Sequence, residues 1–359
     1  MKQAPANRAM FIRKAWYAAA WDYEVLADTI LERTVLGDSL IVYRTTDGRP
    51  VVLENRCCHR AAPLALGRKE GDYIRCMYHG LKFAPDGVCV EIPGQQRIPS
   101  NAKVRCYPAI QRNRWIWVWM GPPEEADAML IPDTYSLQHP QWRTKPGYKL
   151  FHANIALIAD NLLDFTHLTY VHAASLGGSV AMAQSSPEIS AVGKTGLRII
   201  RRVNNTDLAP YHRRLTTIEG KVNRWWDYEL SVSGMFIMTS GAQSVDRAPG
   251  DLEGALMFHS CQALTPETEG TTHYFFSHAH NFALDDPTVT EATFQSIQDA
   301  FGEDSRMIEA QARVLARDPS RELIGIAADS ALVRYRRLVQ AALEEEQVTS
   351  DTVATRASG

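Results

Sequence analysis

No stretch of about 18 uninterrupted apolar residues occurs in the 359-residue chain, so a membrane-spanning helix is not expected. The opening residues, MKQAPANRAMFIRKAW, lack the apolar core of a secretion signal. Cysteine is scarce. The six at positions 57, 58, 76, 89, 106 and 261 show no framework spacing, which argues against a disulfide-stapled secreted scaffold and for a reducing, cytoplasmic compartment. Charge of one sign is also lacking: 38 basic and 41 acidic side chains leave a net −3. No global basic field is therefore available to attract nucleic acid. No G-x-G-x-x-G follows a strand-like run, so the chain has no recognisable nicotinamide or flavin motif of its own. Internal repeats and low-complexity tracts are absent.

What is present is a pair of short, matched ligand clusters. Asn55 to Phe83 reads NRCCHRAAPLALGRKEGDYIRCMYHGLKF, with Cys57-x-His59 and, sixteen residues later, Cys76-x-x-His79. Two thiolates and two imidazoles can hold one tetrahedral Zn²⁺ or a [2Fe–2S] cluster. Zinc fingers usually pair like with like, as C-x₂₋₄-C and H-x₃₋₅-H; here each pair is mixed. That spacing favours the cluster, with Cys57 and Cys76 on one iron and His59 and His79 on the other. Cys58, between ligands, reads as a small buried thiol.

The length suggests two domains, and 45% hydrophobic residues suffice for real cores. The first part reads as short strands. SLIVYRT (39–45) and PVVLENR (50–56) flank a turn at Asp47-Gly48, Pro85-Asp86-Gly87 marks another, and RCYPAIQRNRWIWVWMG (105–121) reads as a hairpin. Trp115, Trp117 and Trp119 alternate with Ile116 and Val118, the period of a strand. An antiparallel β domain over 1–125 is expected, ending at Gly121-Pro122-Pro123. Residues 126–347 have another texture. A helix is expected over 154–172, a flexible loop over 173–190, strands within 196–243 and 255–282, and helices over 288–317 and 327–347. Residues 348–359 read as a frayed polar tail. The class is α+β.

A second metal constellation lies in DNLLDFTHLTYVH (160–172). Asp160, Asp164 and His167 fall at i, i+4 and i+7, one face of a regular helix. His172 follows His167 by five residues, which a regular helix would turn about 140° away. If both bind one metal, the helix must bulge or end near Tyr170. Two His and one carboxylate with open positions form the facial triad of non-haem Fe(II) oxygenases. The carboxylate is assigned to Asp304, on the later helix whose apolar face would pack near the first; Glu303 competes for the role.

With these motifs the chain resembles the oxygenase component of Rieske non-haem iron oxygenases, over essentially its whole length. The resemblance is carried by MFIRKAWYAAAWDYE (10–24), LENRCCHRAAPL (53–64), CMYHGLKF (76–83), VEIPGQQRIP (90–99), KPGY (145–148), DNLLDFTHLTYVH (160–172) and LTPETEGTTHYFFSHAHNF (264–282). Among such enzymes it is most similar to the vanillate O-demethylase and toluenesulfonate methyl-monooxygenase type, with dicamba O-demethylase further off. The resemblance implies an N-terminal antiparallel β domain with a Rieske [2Fe–2S] cluster and a C-terminal helix-grip domain holding a mononuclear Fe(II). It implies O₂ as co-substrate, a separate NADH-dependent reductase of flavin or ferredoxin type, and a head-to-tail homotrimer. In that assembly Asp164 would bridge His79 of one subunit to His167 of the next, with Asn161 facing the iron.

The implied reaction is hydroxylation of a methoxy or methyl carbon on a small aromatic acid. Its runners-up are arene cis-dihydroxylation and a plain Rieske electron carrier. The carrier would leave His167, His172 and Asp304 unexplained. For the substrate, Met235, Phe236 and Ile237 are expected to wall the pocket and Gln295 to line it. The 173–190 segment with Gly177-Gly178 would serve as a lid. His259 reads either as an inward-pointing anion anchor or as a satisfied core histidine. Arg56, Arg60, Arg68, Lys69, Arg75 and Lys82 are expected to steer the reductase toward the cluster loops.

Overall fold

The computed structural model describes residues 11–357 apart from 217 and 249, and side chains as far as 348. The chain divides into two compact units. One comprises Arg13–Asp133 with Thr265–Thr268; the other includes Thr134–Leu264 and the chain from Glu269 on. Among the described residues no helix is long and apolar enough to cross a membrane.

The N-terminal unit is built from eleven short strands: β1 (Trp16–Trp21), β2 (Leu31–Val35), β3 (Asp38–Arg44), β4 (Pro50–Glu54), β5 (Arg68–Glu70), β6 (Tyr73–Arg75), β7 (Lys82–Phe83), β8 (Cys89–Glu91), β9 (Cys106–Tyr107), β10 (Ala109–Arg112) and β11 (Trp115–Trp119). They form three antiparallel sheets, ordered β1-β11-β10, β2-β3-β4-β9 and β5-β6-β7-β8. The hairpin expected at 105–121 is β10-β11. It turns on Asn113 and Arg114, both at positive φ (49° and 69°), the conformation a two-residue hairpin loop requires. All five residues of β11 are buried, and Trp115 stacks on Trp21 with ring centroids 3.8 Å apart. The tryptophan alternation therefore marks a strand covered on both faces.

The C-terminal unit is organised on one seven-stranded antiparallel sheet. Its strands are β12 (Gly147–Phe151), β13 (Glu188–Val192), β14 (Gly196–Thr206), β15 (Val222–Ser231), β16 (Met235–Ser244), β17 (Leu256–Thr268) and β18 (Thr271–His280). The order is β12-β18-β17-β16-β15-β14-β13. Its helices are α1 (Ile155–Leu163), α2 (Val180–Gln184), α3 (Pro287–Arg317) and α4 (Ser330–Ala357). α3 starts with Asp286 accepting a hydrogen bond from Thr288 N and a proline in its first turn, a favourable N-terminus. Its buried residues Thr293, Ile297, Ala300, Phe301, Asp304, Ser305 and Ile308 recur at helical spacing. Ile297 and Phe301 share a core with Leu162 and Leu163 of α1 and with Tyr274 and Phe276 of β18.

Three expectations change. The helix expected over 154–172 stops at Leu163, because Asp164 leaves helical geometry (φ −115°, ψ 94°) and its carboxylate accepts from Thr166 N to start a 3₁₀ turn over Phe165–Thr169. Asp160, Asp164 and His167 consequently do not share a helix face, and Asp160 turns to Arg336. The segment 173–190 carries α2 and the start of β13 rather than remaining a loop. A Cβ at Gly177 would sit 2.2 Å from Pro210 Cδ, and one at Gly178 2.2 Å from Thr169 N. Both glycines sit where a Cβ would collide, and Gly177 is also at φ 66°. Finally, α4 continues to Ala357, past the expected end at 347 and through most of the segment read as a frayed tail.

Candidate metal centres and substrate cavity

In the N-terminal unit two loops repeat one backbone pattern. After β4, Cys57 N donates to Ala62 O (2.9 Å) and Ala61 N donates to Cys57 O (3.0 Å). After β6, Cys76 N donates to Leu81 O (2.8 Å) and Gly80 N donates to Cys76 O (2.9 Å). Each loop needs a left-handed residue at the same step, Ala61 at φ 56° and Gly80 at φ 78°. The Asn55 side chain braces the first loop through Ala65 N (2.7 Å). Arg75 braces the second, donating to Gly80 O at 2.8 Å while pairing with Glu70 and Glu91.

The four ligand candidates separate by depth. Cys57 and Cys76 are 2% and 1% exposed, whereas His59 and His79 lie at the surface with ring centroids 4.6 Å apart. Burial, together with contact to Cys76, pushes the Cys57 thiol up to about 11. A thiolate at Cys57 at neutral pH thus needs metal charge beside it. An inner thiolate pair and an outer imidazole pair on matched loops suit a [2Fe–2S] cluster held two ligands to each iron. Cys58, expected to be buried, is exposed.

In the C-terminal unit the ligand atoms of His167, His172 and Asp304 lie within 4.8 Å of one another. Asp304 Oδ1 is 3.1 Å from His172 Nε2 and 3.6 Å from His167 Nε2. Each imidazole is held by its other nitrogen: His167 Nδ1 by the Asp164 carbonyl oxygen (2.5 Å) and His172 Nδ1 by Glu303 Oε2 (2.7 Å). This is the usual way a protein orients metal-binding histidines. Burial lowers the pKa of His167 despite Asp304. Burial works the same way on His172, but Asp304 and Glu303 outweigh it and raise its pKa. Of the two acids that competed in sequence, Asp304 faces Nε2 of both imidazoles and Glu303 faces Nδ1 of His172. Glu303 also accepts from Ser175 Oγ (2.7 Å), and Asn161 Nδ2 donates to Asp304 Oδ1 (3.1 Å). Two imidazoles and one buried carboxylate converging on a point suit an Fe(II) ion.

The triad opens on a cavity of about 630 Å³, mouth included, walled by Phe165, Trp226, Phe236, Met238, Ile297 and Phe301 among others. Phe236 is where sequence placed it, but Met235 and Ile237 point elsewhere, since side chains alternate along β16. Two substrate assignments are corrected. Gln295 is exposed on α3 and donates to Asp299. His259 is buried on the opposite face of β17 from the cavity, with Nδ1 2.8 Å from Ser136 Oγ and its ring against Tyr135 and Trp142. Its neighbours Ser260 and Gln262 face the cavity instead. Sequence reasoning also missed Arg224, Tyr211, Ser240 and His278 in this lining. Around the cluster loops, Arg68, Arg75 and Lys82 all pair with Glu70, so half of the expected basic group is locally neutralised.

Residues 151–345 match the family model described as the vanillate O-demethylase oxygenase C-terminal domain, and residues 15–108 match the Rieske [2Fe-2S] domain. The toluene-4-sulfonate monooxygenase system iron-sulfur subunit of Comamonas testosteroni is 46% identical, covering 94% of this chain and 98% of its own. The vanillate O-demethylase oxygenase subunit of Pseudomonas sp. (strain HR199 / DSM 7063) is 30% identical, covering 95% and 98%. The crystal structure of dicamba monooxygenase bound to dicamba superposes with a TM-score of 0.85 at 30% identity, covering 94% of this chain and 99% of that one.

Proposed function

The chain belongs to the vanillate O-demethylase oxygenase family of Rieske-type monooxygenases, and from that membership we propose that it hydroxylates a methyl or methoxy carbon of a small aromatic acid. The observation that carries the reading is the pairing of the His167–His172–Asp304 triad with one largely apolar cavity. When bound, the two iron centres supply single-electron storage and O₂ activation.

The overall change balances as R–CH₃ + O₂ + 2e⁻ + 2H⁺ giving R–CH₂OH + H₂O, with electrons from a separate reductase. On a methoxy group the product is a hemiacetal that releases formaldehyde and leaves the phenol. The chain's own residues orient and enclose. Phe165, Phe236, Ile297 and Phe301 would hold the ring dry beside the triad, which favours a single pose and excludes bulk water. Asn161 and Glu303 fix Asp304 and His172 from behind.

Asp164 holds His167 through its carbonyl and uses Oδ1 to cap Thr166 N. Oδ2 has no hydrogen bond among the described residues. That oxygen suits a bridge to the exposed His79 of a neighbouring subunit in a homotrimer, which would link the cluster of one copy to the iron of the next. A stand-alone electron carrier would give the triad and cavity no use.

The test is turnover by the iron-loaded protein with NADH and a Rieske-oxygenase reductase, on a panel of methylated and methoxylated arenes under ¹⁸O₂. Expected are a benzylic alcohol carrying ¹⁸O or stoichiometric formaldehyde. A vicinal cis-diol bearing two ¹⁸O atoms would replace this reading with dioxygenation.

A further inference from the structure

The cavity of the C-terminal unit holds a charge for which the reaction above has no use. Arg224, on β15, is 5% exposed and lines the same cavity as the triad. Among the described residues no carboxylate pairs with it. Its hydrogen bond to the protein runs from Nη1 to Gly177 O at 3.4 Å, and Nε has none. The face of Trp226 lies 4.7 Å from the guanidinium carbon. Burial pulls the Arg224 pKa down, with Tyr211 opposing, yet a guanidinium stays protonated at neutral pH. A buried cation with no anion is a standing cost, and it calls for a ligand that supplies the missing charge.

Further unpaired ring nitrogens lie nearby. His278 Nε2 and both ring nitrogens of His212 are buried without hydrogen-bond partners. Burial first, then Arg224 and His278, act against protonation of His212, and burial does the same to His278. A neutral His212 keeps one N–H to donate, and His278 Nε2 donates in the tautomer whose Nδ1 accepts from Ser260 Oγ. The Ser240 hydroxyl also lines the cavity and is buried. Among the described residues that line this cavity Arg224 is the one arginine or lysine, and the one carboxylate is Asp304 of the triad.

The strand register sets this group apart from the metal triad. Arg224 pairs with Ala242. The next rows on the same face are Trp226–Ser240, Tyr228–Met238–Ser260 and Leu230–Phe236–Gln262. Gln262 Oε1 accepts from Tyr274 OH at 2.6 Å, and the Tyr274 ring packs edge-on against Phe301 (5.0 Å), one helical turn before Asp304 on α3. The triad thus sits by the Gln262 row. Arg224 is six residues away along the strand, about 20 Å between Cα atoms, a span that its own long side chain shortens.

We infer that Arg224 is the anion-binding residue of this cavity. The substrate is then a small arene whose sulfonate or carboxylate lies across the ring from the carbon that is oxidised. The inference deepens the oxygenase reading and rests on it for the identity of the oxidised carbon. A guanidinium fork matches two oxygens of either anion.

Calorimetric titration of the iron-loaded protein with toluene-4-sulfonate, 4-methylbenzoate and uncharged 4-methylbenzenesulfonamide tests it. The wild type should bind the anion of the correct type roughly a hundredfold tighter than the sulfonamide, the margin of one charge-assisted pair in a dry site. Arg224→Gln should lose that margin while keeping its cluster absorbance and iron content. Without ligand, Arg224→Met should unfold at the same temperature as the wild type or higher, whereas an arginine with only a structural role would give a lower midpoint. Equal wild-type affinity for the sulfonamide, no binding of either anion, or a preserved anion preference in Arg224→Gln would each overturn the assignment. Tight Arg224-dependent binding with no oxidised product would uphold the subsite and overturn the oxygenase reading. Oxidation of neutral methoxyarenes with a KM indifferent to Arg224→Gln would do the reverse.

Discussion

Glu303 Oε2 lies 2.7 Å from His172 Nδ1, on the side of the ring turned away from Asp304. Adjacent acids on α3 thus face opposite nitrogens of one imidazole, Asp304 where a ligand would stand and Glu303 where an orienting partner would. The arrangement fixes the tautomer, because Glu303 can only accept and so draws the proton to Nδ1.

Removing the orienting acid should loosen the metal without removing a ligand. Glu303→Gln is expected to weaken Fe(II) retention by about 10- to 100-fold, read as iron content after graded chelator dialysis, while the cluster spectrum is unchanged. Asp304→Ala should abolish mononuclear iron outright. If Glu303→Gln and Asp304→Ala lost iron equally, both acids would be ligands and the division of roles would be wrong.

Asp164→Asn separates holding from bridging. Asparagine keeps the backbone carbonyl that binds His167 Nδ1, and its side-chain oxygen can still cap Thr166 N. Both metal centres should survive. Turnover should fall by well over tenfold, and with substrate and O₂ present the reduced cluster should stay reduced instead of oxidising in a single turnover. Normal single-turnover oxidation in the variant would remove Asp164 from the electron route.

The metal motifs were legible because their chemistry demands particular residue types at short spacing. Cys57, His59, Cys76 and His79 could be proposed from spacing alone, and so could His167 and His172; Asp304 rested on a helix expected to pack near the first, with Glu303 left in competition. The helix break at Asp164 was less visible. The same residue fits a helix face by spacing and an N-cap by type, and only the requirement that His167 and His172 converge decides between them. The substrate wall was least legible. On β17 nearly every residue from Phe258 to Thr265 is buried on both faces, so the alternation that would give strand parity is missing. With parity unknown, the two readings of His259, anion anchor or satisfied core histidine, were readings of opposite faces of the sheet. Arg224 was hidden for a different reason: a lone arginine in a strand usually faces solvent, yet along β15 it falls on the buried face with Val222, Trp226, Tyr228 and Leu230, while Asn223, Asp227 and Glu229 face outward.

The cluster surface should attract a reductase through the basic residues left unpaired. Glu70 binds Arg68, Arg75 and Lys82, so reversing those would also damage the loop scaffold. Arg56 and Arg60 are exposed and have no carboxylate partner among the described residues. Reversing both to Glu should slow reductase-driven cluster reduction several-fold at low salt, with the difference shrinking as ionic strength rises. Reduction by dithionite should be unaffected. Equal slowing with dithionite would point to a damaged cluster instead of a lost docking charge.

Buried neutral histidines should make the C-terminal unit sensitive to acid. His278 is buried, and desolvation, helped by His280 and His259, pulls its pKa down to about 3. His212 is likewise lowered, by burial first and then by Arg224. In the unfolded chain both return to about 6.5. The folded pKa is thus depressed for a base, so above pH 6.5 neither state binds the proton and stability is at its plateau. Below 6.5 the unfolded chain takes up protons that the folded chain refuses, and stability falls progressively toward pH 3. Each histidine adds up to one proton to that slope. His278→Gln keeps a polar side chain beside Ser260 but cannot titrate. Between pH 7.5 and 5.5 its thermal midpoint should therefore fall less than that of the wild type, even if it starts lower. An identical fall in both proteins would mean that His278 is not held neutral by its surroundings.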